Sequence, residues 1–495
     1  MSTAPTPPTG ASASGPPRLG WILALLALAQ LIFSLDLNIV FVALPDIGSD
    51  LGFPGQTQQL VVSAYVVFAG GFLLLGGRAA DLFGRRRIFI LALTVYAASS
   101  LAGGLAESPT VIVAARAVQG IGGALLLPST LSLINTLFTE GPKRNKALAV
   151  WGGAGASGLT AGALLGGILT ESFGWPAVFY VNVPLAGAVA LAALAVIPRD
   201  PERTGKRRFD LPGALIATGG STLLVFALVE GPEMGWTSAT VLAAFAAAGV
   251  LLVAFAVVEA RSNDPLMPFR LFRNRNLSVG ISVTFLYMAT FGTLPYFLTV
   301  LMQTVHGYSA LETGLAFLVP SIAIAVGTQL GERLTTRHGT RTTLIAGFII
   351  GAVGTAVLAL GFDAGATYLT ALPGLVLSGV GQGIVWTAMW ITASTDVAAE
   401  EQGIANGMAS TTLNIGNAIG LAVLTAVADA DTGGKAGDAL REATADGEFL
   451  VVLLTAAGMV AGLLIALSLP RRAGTPAPDT APARSTAEDA TLTPR

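Results

Sequence analysis

Few side chains in this 495-residue chain could do chemistry. Cysteine is absent and only His306 and His338 are present, so disulfides, thiolate nucleophiles and cysteine or histidine metal sites have no basis. Asp36 stands out instead, as the one charged residue in an apolar run from about Gly20 to Leu44. A carboxylate near the middle of a membrane-crossing helix costs roughly 2.5–3.5 kcal/mol on the insertion scale, and such residues face a bundle interior or a wet cavity and mark transport pathways. Arg116 is the buried arginine of the first half, about five residues inside its own apolar run, at a depth similar to that of Asp36. Desolvation favours a neutral carboxyl and a nearby guanidinium the charged one, so a carboxyl between these influences can exchange a proton. A static ion pair is the competing reading.

The neighbours of this pair add polar and small residues at helical spacing. Gln119, Gly120 and Gly123 follow Arg116 at +3, +4 and +7 on one face. Gln30, Ser34 and Asn38 align on nearly the opposite side of the first run from Asp36, so both sides need shielding from lipid. Gly158, Gly162 and Gly166 repeat every four residues with Gly167 beside them, a pattern for close packing that can also serve as a hinge. Asn406, Ser410, Asn414 and Asn417 form a polar face suited to interhelical hydrogen bonds or substrate contact. Gly77 and Gly84 bracket Asp81 in a loop that also holds Arg78, Arg85, Arg86 and Arg87, which suggests a built turn beyond plain positive charge. Tyr65, Tyr287, Tyr296, Trp386 and Trp390 allow stacking or cation–π contact, or serve packing.

The elements that must position these residues are membrane helices. Hydrophobic residues make up 53% of the chain, charged residues 11%, and mean hydropathy is +0.71, far from soluble-domain composition. Apolar runs of crossing length recur from Gly20–Leu44 to Phe449–Leu469, fourteen in all. Lysine and arginine gather in the second, fourth, sixth, eighth and tenth connections, whereas the first, third, fifth, seventh, ninth and eleventh have none. By the positive-inside rule both termini are cytoplasmic. The twelfth connection is acidic and the thirteenth carries Lys435 and Arg441, against eleven concordant ones. Gly52-Phe53 precedes Gly84-Arg85 by 32 positions, and Gly307-Tyr308 precedes Gly339-Thr340 by the same interval. Two six-helix repeats with two helices inserted between them fit this spacing, and repeated halves place a substrate site between them near the membrane midplane.

Several motifs resemble one family. Gly77-xxx-Asp81-xx-Gly84-Arg85-Arg86-Arg87 resembles the signature loop (motif A) of the major facilitator superfamily, and Val113 to Gly122, around Arg116, resembles its motif B. That superfamily is among the transporters from which the repeat rule itself is drawn. Leu35-Asp36 through Pro45 is similar to the first-helix motif of the fourteen-helix drug:proton antiporters. Gly158-xxx-Gly162-Ala163-xx-Gly166-Gly167 resembles the antiporter motif C, and Val181-Asn182-Val183-Pro184 matches the usual entry of the sixth helix. Three positions depart: Ala163 replaces a proline, Trp175-Pro176-Ala177 replaces Trp-Arg-Trp, and Thr336 stands where an acid is common.

The resemblance implies an all-α polytopic membrane protein of the major facilitator fold. It implies Asp36, Arg116 and Gln119 as proton- and substrate-coupling residues, and Gly77, Asp81, Gly84 and Arg85 as the cytoplasmic gate. Gly158, Gly162, Gly166 and Gly167 would be hinge or packing glycines, and Asn38, Asn406, Asn414 and Asn417 substrate contacts. The expected organisation is a disordered cytoplasmic N-terminus (1–19), a six-helix bundle (20–197), two inserted helices with linkers (198–276), a second six-helix bundle (277–469) and a disordered cytoplasmic tail (470–495). The expected function is proton-coupled efflux of small hydrophobic drugs, antibiotics or natural products across the cytoplasmic (inner) membrane, by a monomer in the lipid bilayer. No cofactor, metal or nucleic acid enters. A narrow metabolite symporter or uniporter of the same fold is the alternative. A membrane enzyme is disfavoured because the apolar runs offer no acid/base pair beside a nucleophile.

Overall fold

The computed structural model describes residues 19–53, 57–200, 211–262, 265, 267–362, 365–432 and 435–470. The expected disordered ends (1–18 and 471–495), the basic residues of 201–210 and the side chain of Ala163 lie outside the described residues. Regular structure among the described residues is helical throughout. In hydrocarbon a backbone must satisfy its own polar groups, and a helix does so within one segment. In chain order the helices are α1 (Leu19–Asp50), α2 (Leu60–Gly71), α3 (Leu73–Phe83), α4 (Arg85–Gly104), α5 (Pro109–Leu137) and α6 (Pro142–Phe173). There follow α7 (Pro176–Tyr180), α8 (Asn182–Val196), α9 (Leu211–Met234), α10 (Ala239–Arg261), α11 (Arg275–Thr290) and α12 (Leu294–Val300). The last are α13 (Ala310–Ala316), α14 (Leu318–Leu358), α15 (Tyr368–Ser394), α16 (Gln402–Ala428) and α17 (Gly437–Leu467).

Eleven helical segments among the described residues are long and apolar enough to cross a membrane, or twelve if the α2–α3 pair, bent by 50°, is one crossing. The long α14 runs through two of the expected apolar runs and is broken between them at Gly339, with φ 83° and ψ 166°. Gly84, between α3 and α4, has a similar backbone at φ 102° and ψ 136°. Both values lie in a region that side chains other than hydrogen strain to adopt. The two glycines matched by the 32-residue interval therefore make the same kind of turn. Proline opens α5, α6 and α7, where its missing N–H is harmless and its φ suits a first turn.

Within the first half, α1 lies along α6, and α5 packs on α2 and α4, with α8 against α4 and α1. The second half is built from α11, α14, α15, α16 and α17. The halves meet where α16 crosses α3 and α5, and where α6 meets α14 and α15. α9 packs on α2 and α16, with α10 outside it. Outer faces are apolar: Val250 and Val253 of α10 are 69% and 66% exposed, which suits lipid as the surrounding solvent.

Candidate functional site

The Asp36 carboxylate is fully enclosed and accepts hydrogen bonds from three residues on two other helices. Oδ2 takes Arg116 Nη1 at 2.7 Å, and Oδ1 takes Gln119 Nε2 at 2.9 Å and Asn182 Nδ2 at 2.7 Å. Arg116 also donates from Nη1 to Gln119 Oε1 (2.8 Å) and from Nε to the Val61 carbonyl (3.1 Å). Its Cζ lies 4.3 Å from the centre of the Tyr65 ring, a cation–π contact. Gln119 donates onward to Ser100 Oγ at 2.8 Å. One buried carboxylate thus ties α1, α5 and α8 together, with α2 and α4 in the second layer. Burial of an ion pair is tolerable only when its remaining valences are satisfied, and here the donors of two amides and a carbonyl acceptor do so.

Asn182 and Ser100 have no place among the sequence-based candidates, and Tyr65 is there only as one of five rings suited to stacking, cation–π contact or packing. Asn182 was visible only as part of the sixth-helix entry; it opens α8, whose start lies near the depth of Asp36. Tyr65 and Ser100 carried no spacing signal toward Arg116 or Gln119. The second polar stripe of α1 has a different neighbour: Gln30 and Ser34 bond each other at 3.2 Å and face Gly155 of α6. Asn38, on the same stripe, is half-buried.

The glycine column explains how α1 is held. A Cβ on Gly158, Gly162 or Gly166 would run into the carbonyl oxygen of Leu31, Leu35 or Ile39 of α1, respectively. The residues of α6 thus touch the backbone directly beside Asp36. Gly167 is different, since a Cβ there would meet nothing within 4 Å.

Asp81 is at the centre of a second constellation, between the halves; the expected loop is helical from Gly77 to Phe83, because Gly77 keeps helical backbone and only Gly84 turns the chain. Asp81 accepts from the backbone N–H groups of Gly403 (3.1 Å) and Ile404 (2.9 Å), in the first turn of α16. It caps a helix of the opposite half, satisfying donors that a helix start leaves open and meeting the positive end of its dipole. Arg85 lies 3.4 Å from Asp81, donates to Ser132 Oγ at 3.1 Å and reaches the Ala399 carbonyl. Gly77 and Gly403 lie face to face, each without room for a Cβ against the other's carbonyl oxygen. Gly84 is crowded too: a Cβ would meet the Asp200 carboxylate, which accepts from Arg86 N and Arg87 N at 3.2 and 3.4 Å and caps α4 in the same manner. Further ties across the halves are Asn135 Nδ2 to Asn406 Oδ1 (3.4 Å) and Asn145 Nδ2 to Thr336 Oγ1 (3.1 Å), while Arg270, in the linker before α11, pairs with Glu401 within the second half. Thr336, in place of an acid, thus accepts a neutral amide bond.

The structure does not bring all the candidate asparagines to one place. Asn406 is fully buried beside Asn135 at the Asp81 end, Asn414 donates to the Ser410 carbonyl of its own helix at 3.0 Å, and Asn417 is half-buried further along α16.

The Major Facilitator Superfamily model matches residues 26–421. The puromycin resistance protein pur8 of Streptomyces alboniger is 40% identical over 431 residues, 86% of this chain and 85% of that protein. The cephamycin export protein CmcT of Amycolatopsis lactamdurans is 38% identical over 417 residues, covering 83% and 86%. The crystal structure of the human organic anion transporter MFSD10 (TETRAN) superposes with a TM-score of 0.67 at 17% identity, over 91% of this chain and all of that one, a likeness of fold. The chain belongs to the major facilitator superfamily, a family of membrane transporters.

Proposed function

We propose that this transporter exports small hydrophobic drugs, antibiotics or natural products in exchange for protons. The observation that carries the reading is the enclosed Asp36 carboxylate, held by Arg116, Gln119 and Asn182 across α1, α5 and α8. A proton on Asp36 removes the charge that these donors converge on. The tie between the three helices then loosens, and Arg116 and Gln119 are released to other partners. α5 continues from Arg116 to Ser132, about 24 Å along its axis, where Ser132 holds Arg85 of the second constellation. A shift of α5 therefore reaches both ends of the half. The Asp81–α16 tie would be the cytoplasmic gate, closed in this conformation. The names of pur8 and CmcT, a resistance protein and an export protein, support the outward direction.

Fourteen crossings belong to the proposal. The eleven segments and the bent pair supply twelve, α6 adds one, and the break at Gly339 divides the long α14 segment into two. Bundles at 20–197 and 277–469 flank the inserted α9 and α10, the basic connections face the cytoplasm with both termini, and a monomer in the inner membrane is the working unit. The driving force suffices: about 2.3 kcal/mol per charge per 100 mV and about 1.4 kcal/mol per pH unit sustain a gradient of a hundredfold or more for one proton. The test is flux in everted membrane vesicles. Uptake of puromycin or ethidium that requires an imposed proton gradient supports the proposal. Accumulation in the opposite direction, or indifference to the gradient for every compound in an antibiotic and dye panel, would contradict it.

A further inference from the structure

Four aromatic rings between the halves play no part in the proton coupling described above. Trp151 of α6 stacks on Trp386 of α15, with ring centres 6.1 Å apart and an interplanar angle of 13°, so one stacked pair bridges the two halves. Trp390 stands edge-on to both, 5.6 and 5.8 Å away, and Tyr287 of α11 lies 5.3 Å from Trp386. Trp151 is nine residues into α6 and Trp390 four residues before the end of α15, about 13 and 6 Å from the ends that carry the Asp81 constellation. Gly152 leaves room for the group, since a Cβ there would overlap the Trp386 indole nitrogen.

An indole N–H donates and cannot accept. The ring nitrogens of Trp151, Trp386 and Trp390 are all buried without a hydrogen-bond partner. Open buried donors are costly and uncommon, and packing alone would be served by phenylalanine, so three together call for an acceptor that comes and goes. The surroundings also restrict its charge. Positions 147–170 of α6, 276–290 of α11 and all of α15 contain no Asp, Glu, Lys, Arg or His. A charged ligand stripped of water there would find no counter-charge on these segments.

We infer that these rings form a first binding station for uncharged, planar, carbonyl-bearing molecules. When the halves part at the Asp81 end, Trp151 separates from Trp386, the exposed faces take the ligand ring and the indole N–H groups take its carbonyl oxygen. The inference rests on the export reading only for the direction in which the ligand then moves.

Fluorenone and fluorene differ by a carbonyl in place of a methylene and isolate the acceptor. Their binding to purified protein in nanodiscs, with binding to empty nanodiscs subtracted, should favour fluorenone by about tenfold. In the Trp151→Phe, Trp386→Phe, Trp390→Phe triple variant, checked for folding by thermal unfolding, the preference should fall to about one. A wild-type preference near one overturns the inference whether or not the variant folds. So does a preference that survives all three substitutions. Asp36→Asn separates the two claims: loss of proton-driven efflux with the fluorenone preference intact supports both, whereas efflux that persists with the preference intact overturns the coupling role and leaves the tryptophan station standing.

Discussion

Replacing Asp81 with alanine should open the cytoplasmic gate. The side chain accepts from two first-turn N–H groups of α16 and lies beside Arg85, all in a buried setting. Losing a helix cap costs about 1 kcal/mol, and leaving buried donors without a charged acceptor costs about 1–3 kcal/mol. Arg85 keeps Ser132 and the Ala399 carbonyl, so the loss is confined to the cap. A net shift of about 2 kcal/mol toward the open form is a change of roughly thirtyfold in the closed-to-open ratio. The chain has no cysteine, so a single Ser410→Cys substitution gives a clean probe. Ser410 is fully buried on α16, one turn beyond Asn406. In everted vesicles, a membrane-impermeant maleimide should label that cysteine roughly thirty times faster when Asp81 is alanine. An unchanged rate in a folded protein would refute the reasoning, because the gate would then be held by the ties that remain, among them the Gly77–Gly403 contact, Arg85 on the Ala399 carbonyl and the Asn135–Asn406 pair.

Other substitutions probe the supports of Asp36. Gly162→Ala forces a methyl onto the Leu35 carbonyl and should lower the thermal midpoint by the equivalent of about 1–3 kcal/mol, whereas Gly167→Ala, with open space beside it, should leave the midpoint in place. Asn182→Ala removes one of three donors to Asp36 and should cut gradient-driven efflux in vesicles about tenfold. Arg116→Lys keeps the charge but loses the fixed geometry that reaches Asp36, Gln119 and the Val61 carbonyl together; uptake assays should find it nearly as impaired as a neutral replacement.

Where the sequence was informative, a physical rule tied residues to a common depth or face. The rise per residue put Asp36 and Arg116 level with each other, and the helical period put Gln119 beside Arg116; in the structure these three bond one another. The glycine spacing marked a close approach without saying to what, and only the packing of α6 on α1 reveals the carbonyls of Leu31, Leu35 and Ile39. Contacts set by how helices rotate about their axes were out of reach. Asn182 sits at a helix start, where no period points anywhere, and Tyr65 reads like any other ring in an apolar run. The asparagine face of α16 shows the limit of periodicity: Asn406 and Asn414 share a face but bond to different things, a residue of the opposite half and a carbonyl of their own helix. A turn was legible at Gly84, but Asp81 lies in the last turns of α3 and not in a loop, and its partner is more than 300 positions away, at a helix start that no local pattern connects to it.

The most direct test of proton coupling through Asp36 is the efflux of Asp36→Asn, which keeps the shape and removes the ionisable carboxyl. Everted vesicles containing equal amounts of wild type and variant would be given a proton gradient and a transported drug. The account predicts gradient-dependent accumulation by the wild type and none by the variant, while facilitated equilibration of the drug persists. Accumulation by Asp36→Asn that still rises with the gradient would contradict it.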